Sequence, residues 1–132
     1  MSVVVGYVPT PEGEAALDAA LRAARDLSTG LVVVNVDSTH GVLGTEEPHP
    51  AYLDALTDTL AQSGVKNVVL HPLGDYDPAE EILKAAESQD AQLIVLGIRH
   101  RTPVGKLFLG STAQRVLLEA ACPVLAVKAG QA

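Results

Sequence analysis

The chain has 132 residues, 48% of them hydrophobic and 19% charged, which is the size and balance of one soluble globular domain with a real core. Its formal net charge of −7 argues against nonspecific binding to nucleic acid or to an anionic membrane surface, and no apolar run reaches the roughly 18 residues that a membrane span needs. Aromatic residues make up only 3%, so a site for a base or a sugar would be lined by aliphatic side chains and backbone.

Residues 2–7 (SVVVGY) are a β-branched run bounded by Pro9 and Pro11, the pattern of a buried strand of the parallel type. No basic leader precedes that run, so the expected location is cytoplasmic. A helix starts near Pro11, with Ala16, Ala20, Ala23 and Leu27 as its apolar face and Gly30 as its stop. Residues 31–36 (LVVVNV) are a second strand. The loop at 37–50 is rich in Gly, Pro, His and acid, but His40, His49, Glu46 and Glu47 do not stand at a recognised metal-ligand spacing, and no metal site is expected. A helix over about 50–62 carries Leu53, Leu56 and Leu60 on one side, and Gly64 ends it. Residues 67–73 (NVVLHPL) are a third strand, with Pro72 at an edge or exit position and His71 in a structural role. Asp77 and Pro78 form an N-cap and first-turn pair that opens a helix carrying Ile82, Leu83 and Ala86. Residues 92–96 (QLIVL) are a fourth strand, followed by a loop from Gly97, a helix over about 110–120 and a fifth strand, 123–127 (PVLAV). The single cysteine, Cys122, allows no internal disulfide and reads as a buried small apolar side chain.

Strand and helix alternate without interruption, which requires an α/β fold: an open five-stranded parallel sheet with right-handed crossovers and helices on both faces. Ligands of such sheets bind at the carboxyl ends of the strands, where the strand order reverses. The loops after the first and fourth strands are therefore the expected site. No repeat, low-complexity segment or linker divides the chain, and residues 1–132 read as a single domain.

The segment from Leu93 to Lys128 carries the chemistry. From Ala91 to Leu118 there is no Asp or Glu, while Arg99, Arg101, Lys106 and Arg115 all fall in this stretch. Gly97, at the exit of a buried strand, lets backbone approach a ligand, and Gly110, Ser111 and Thr112 offer N–H groups and hydroxyls at the positive end of a helix. Arg99, Arg101 and Lys106 can add charge-assisted hydrogen bonds to phosphate oxygens. Together these are the means of holding a polyanion.

This segment resembles the nucleotide-binding signature of the universal stress protein family, G-x2-G-x9-G-[ST], whose glycines and final Gly-Ser line the phosphates of ATP. Gly97 matches the first position, Gly110 the third and Ser111 the fourth; the second is His100, which can donate hydrogen bonds where glycine offers only backbone. The closing run AACPVLAV is also similar to the family, and with the order of elements the resemblance covers nearly the whole chain. It implies a Rossmann-like fold of the adenine nucleotide alpha hydrolase type with strand order 3-2-1-4-5, and a regulatory, stress-responsive homodimer that binds ATP, with or without magnesium. Members that bind ATP usually carry an acid and then Gly-Ser at the end of the first strand. Here the corresponding run is Val8, Pro9 and Thr10. Val36, at the end of the second strand, would touch the adenine.

Other readings fail on particular residues. A Walker A loop would need glycine at His100 and a hydroxyl residue at Leu107, and the dinucleotide fingerprint is missing after Gly6. Ser111 and Thr112 have no activating partner nearby in sequence, so at most slow ATP hydrolysis is expected. The last strand begins at Pro123 and has only Lys128 to discourage pairing, so it invites the same strand of a second chain. The alternative function is a nucleotide-free dimeric interaction module whose degenerate site is marked by Val8 and His100.

Overall fold

In a computed structural model of the chain, which describes residues 1–37, 51–99 and 109–129, the first apolar run becomes the central strand β1 (Ser2–Tyr7), buried along its whole length. The described residues continue with α1 (Pro11–Asp26), β2 (Gly30–Asn35), α2 (Ala51–Gln62), β3 (Asn67–Leu70), α3 (Pro78–Ser88), β4 (Ala91–Ile98), α4 (Ser111–Glu119) and β5 (Val124–Lys128). All four strand pairings are parallel and the order is β3-β2-β1-β4-β5, the expected 3-2-1-4-5. The chain builds outward from β1 to β3 and then returns to place β4 on the other side of β1. A crevice therefore opens between the carboxyl ends of β1 and β4.

The period of two along each strand divides the core into two layers. Val3, Val5 and Tyr7 of β1 with Leu31, Val33 and Val95 meet Ala16, Leu17, Ala20 and Leu21 of α1 and Leu56 and Leu60 of α2. Val4, Val32, Val34, Ile94, Leu96 and Ile98 meet Ala79, Ile82 and Ala85 of α3 and Ala113 and Val116 of α4 on the other face. Each fully buried valine or isoleucine of these strands is worth about 1.5–3 kcal/mol relative to an exposed one, so the sheet centre dominates the stability.

Several boundaries differ from the sequence expectation for identifiable reasons. The apolar stripe of α1 is Ala16, Leu17, Ala20, Leu21 and Ala24; Leu27 is the C-cap and is 46% exposed. That helix ends before Gly30, at a left-handed Ser28, and Gly30 instead opens β2. Gly64, left-handed after α2, does act as the stop. β3 ends at Leu70, short of Pro72, because proline cannot extend the ladder. β4 runs on through Gly97 to Ile98, since these two residues pair with Val127 and Lys128 of β5. The acidic loop with His40 and His49 lies outside the described residues, as do His100, Arg101 and Lys106.

Candidate functional site

Two adjoining cavities occupy the crevice at the carboxyl ends of β1 and β4. The larger, about 380 Å³, is lined by Val8, Glu12, Leu96, Gly97, Ile98, Arg99, Gly110, Thr112 and Ala113. The smaller, about 180 Å³, shares Val8, Leu96, Gly97 and Thr112 and adds Gly6, Val36, Pro78 and Ile82. Of the residues singled out from the sequence, Val8, Val36, Gly97, Arg99, Gly110 and Thr112 thus converge on one place, although they come from four separate stretches of chain.

The mouth of α4 faces the larger cavity. Gly110 is its N-cap in extended conformation, and no side chain caps it. The other two helices with a described N-cap are closed by their own side chains. Thr10 Oγ1 accepts from the Gly13 amide at 3.1 Å in α1, and Asp77 Oδ1 accepts from the Ala79 amide at 3.0 Å in α3. First-turn amides of α4 therefore keep the partial positive charge that an anion would meet, with Arg99 beside them on the cavity wall. Ser111 is exposed at the start of the helix.

Thr10 and Gly97 have structural duties as well. Thr10 is occupied as a cap, and Pro9 is exposed and outside both cavity walls. A methyl group at Gly97 would overlap the carbonyl of Glu12 in the first turn of α1, so this position must be glycine for α1 to lie against β4. Gly13, the residue after Glu12, answers the same need against the Val8 carbonyl. This close approach brings Glu12 to the cavity, a lining residue that the sequence reading passed over because its two partners are distant in sequence.

Arg115 belongs to the acid-free stretch but not to the site. Its guanidinium bonds Asp77 and, at 3.0 Å, Glu119 Oε2, and so ties α4 to the cap of α3. A still larger cavity, about 520 Å³, lies at the amino ends of β4 and β5 among Leu83, Glu87, Asp90, Glu119 and Cys122. Its carboxylates disfavour anions. Burial raises the Cys122 thiol above its ordinary range, which favours its protonated form. Its side chain is half-buried against the α3 and α4 core.

On the far side of β1 the carboxyl ends of β1 and β2 carry a tyrosine cluster. Tyr7, 1% exposed, stacks on Tyr52 at 6.2 Å between ring centroids and donates to Glu14 Oε2. Burial, then the Glu14 hydrogen bond, pushes the Tyr7 phenol far above the ordinary tyrosine range. Asn35 Nδ2 donates to the Tyr52 hydroxyl at 3.1 Å and lies 3.4 Å from His71 Nδ1. Among the described residues no group of three or more His, Cys, Asp or Glu side chains is placed to hold a metal ion, and no helix is long and apolar enough to cross a membrane.

With this geometry in hand, comparison with known proteins is specific. The profile of the universal stress protein family matches residues 1–128. A universal stress protein of Mycolicibacterium smegmatis is 44% identical over 126 residues, which is 96% of this chain and 96% of that protein. The solved structure of a universal stress protein from Archaeoglobus fulgidus superposes with a TM-score of 0.69 at 28% identity, covering 97% of this chain and 98% of its own. A structure of the universal stress protein from Archaeoglobus fulgidus in complex with dAMP gives 0.62 at 22% identity, covering 97% and 98%.

Proposed function

The chain belongs to the universal stress protein family, and from that premise we propose that it binds an adenine nucleotide in the crevice between β1 and β4 and acts as a regulatory protein of the cytoplasmic stress response. The observation that carries this reading is the larger cavity, where Arg99, Gly97 and the side-chain-free cap Gly110 meet at the mouth of α4. Phosphates would lie there against helix amides and the guanidinium, with Ser111, Thr112 and the cationic His100, Arg101 and Lys106 loop completing the shell. The nucleoside would extend into the smaller cavity against Val8, Val36 and Ile82, which are aliphatic as the composition requires. The two volumes suit a ligand of nucleotide size. That a structural neighbour was solved with dAMP agrees with this choice of ligand.

ATP is the proposed form. Magnesium, where present, would be carried mainly by the phosphates, as that ion prefers, with Glu12 as the carboxylate at the cavity wall. A single domain over 1–132 would pair into a homodimer through β5, whose outer edge faces solvent and whose Leu125 is 43% exposed. A second reading, a nucleotide-free dimeric interaction module, is favoured by Val8 at the end of β1 and by the structural duties of Thr10 and Gly97. Titration calorimetry with ATP, ADP and AMP at up to millimolar concentration separates the two: heat and a saturable isotherm support the first, and no heat with any of the three rejects it.

A further inference from the structure

Two side chains of opposite charge line the larger cavity, Glu12 in the first turn of α1 and Arg99 just past β4. The next two acids of α1 are engaged: Glu14 accepts from Tyr7, and Asp18 pairs with Arg22 at 3.4 Å. Among the described residues no hydrogen bond or ion pair holds the side chain of Glu12 or of Arg99. Packing places Glu12 where it stands. Its carbonyl and Cβ lie against Gly97, which lines both cavities, so the side chain leaves α1 beside the crevice and is half-buried there.

A polyphosphate in this cavity is drawn by Arg99 and the mouth of α4 and repelled by Glu12, and partial removal from water strengthens both effects. A divalent cation between carboxylate and phosphate reverses the repulsion. Magnesium is commonly held in this way, by one or two carboxylates together with the phosphates of the ligand. The described residues offer no group of three or more His, Cys, Asp or Glu that could hold a resident ion, so the cation has to enter with the nucleotide. We propose that Glu12 filters nucleotides by charge form: the crevice accepts ATP as its complex with a divalent cation and disfavours the metal-free anion. The inference rests on the nucleotide reading above and makes the cation a condition of tight binding. Arg99 and the α4 amides serve any phosphate, whereas Glu12 supplies the dependence on metal.

The test is calorimetry with ATP in excess magnesium and in EDTA, at matched ionic strength, on the full chain and on Glu12→Gln. Glutamine keeps the length of the side chain and the carbonyl and Cβ that meet Gly97. Wild type should bind ATP about tenfold more tightly with magnesium than without. Glu12→Gln should bind ATP in EDTA more tightly than wild type does and lose most of the magnesium effect. Equal affinity of wild type in the two buffers, or a magnesium effect of unchanged size in the variant, would overturn the assignment while leaving nucleotide binding intact. Failure of ATP to bind wild type in either buffer would remove the parent reading and this one together. Magnesium titrated alone should give no saturable heat; a saturable isotherm would mean a resident ion and count against the proposal. Should Glu12→Gln not fold, Glu12→Ala serves with the same expectation, since alanine keeps the Cβ and suits a helix.

Discussion

Gly97→Ala tests how the crevice is built. Neither Gly97 nor Gly110 is among the described glycines with positive φ, which are Gly64 and Gly74, so alanine meets no backbone strain at either position. The difference is steric. A methyl group at Gly97 overlaps the Glu12 carbonyl and comes within 3.2 Å of the Glu12 Cβ, whereas at Gly110 it meets nothing within 4 Å. Backbone cannot swing aside as a side-chain tip can, so the first turn of α1 must shift away from β4. Overpacking of this kind costs about 1–3 kcal/mol, which in a domain of this size lowers the melting temperature by roughly 4–11 °C. Gly110→Ala should cost no more than about 1 kcal/mol, the usual loss at a cap. Thermal unfolding followed by circular dichroism measures both. If Gly97→Ala melts within a degree or two of wild type and loses only ligand binding, the packing argument is wrong and the glycine is there for the ligand alone.

Other outcomes follow from single contacts. Asp77→Ala removes the α3 cap and one partner of Arg115 and should cost about 1–2 kcal/mol, while Asp77→Asn, which keeps the capping oxygen, should cost only a few tenths; denaturant titration separates them. All three tyrosines of the chain are shifted upward, each chiefly by burial. A raised folded-state pKa keeps its stabilisation below the unfolded value near about 10 and loses it as pH climbs further, so tyrosinate absorbance should appear late and together with alkaline unfolding. Independent ionisation near that pH in a folded chain would contradict the burial of Tyr7. Arg99→Gln should weaken ATP binding about three- to tenfold and make the remainder less sensitive to salt; an unchanged affinity would take Arg99 out of the phosphate shell.

The β-branched runs announced the sheet, because residues buried on both faces leave an unbroken apolar stretch, and the Gly-Ser-Thr step announced the start of α4. Less of the detail could be read locally. Alanines fill α1 so densely, at 15, 16, 19, 20, 23 and 24, that its periodicity does not single out one face, and the real stripe turned away from Leu27. Gly97 was legible as a glycine near a ligand loop, but its contact with Glu12 joins β4 to α1 across most of the chain. The pairing of Arg115 with Asp77 spans 38 positions, so the acid-free stretch could not show that this fourth cation is matched by an acid from elsewhere in the chain. Asp37 looked like one more acid in a polar loop until the fold set it against Tyr52 and the end of β2.

The most direct measurement is amide chemical-shift mapping of the isotopically labelled protein during titration with ATP. Saturable shifts should cluster at Val8, Glu12, Gly97, Arg99 and Gly110 to Ala113 and leave the amides around Asp90 and Cys122 unmoved. Shifts centred on that second cavity, or none at any concentration, would contradict a phosphate site at the mouth of α4.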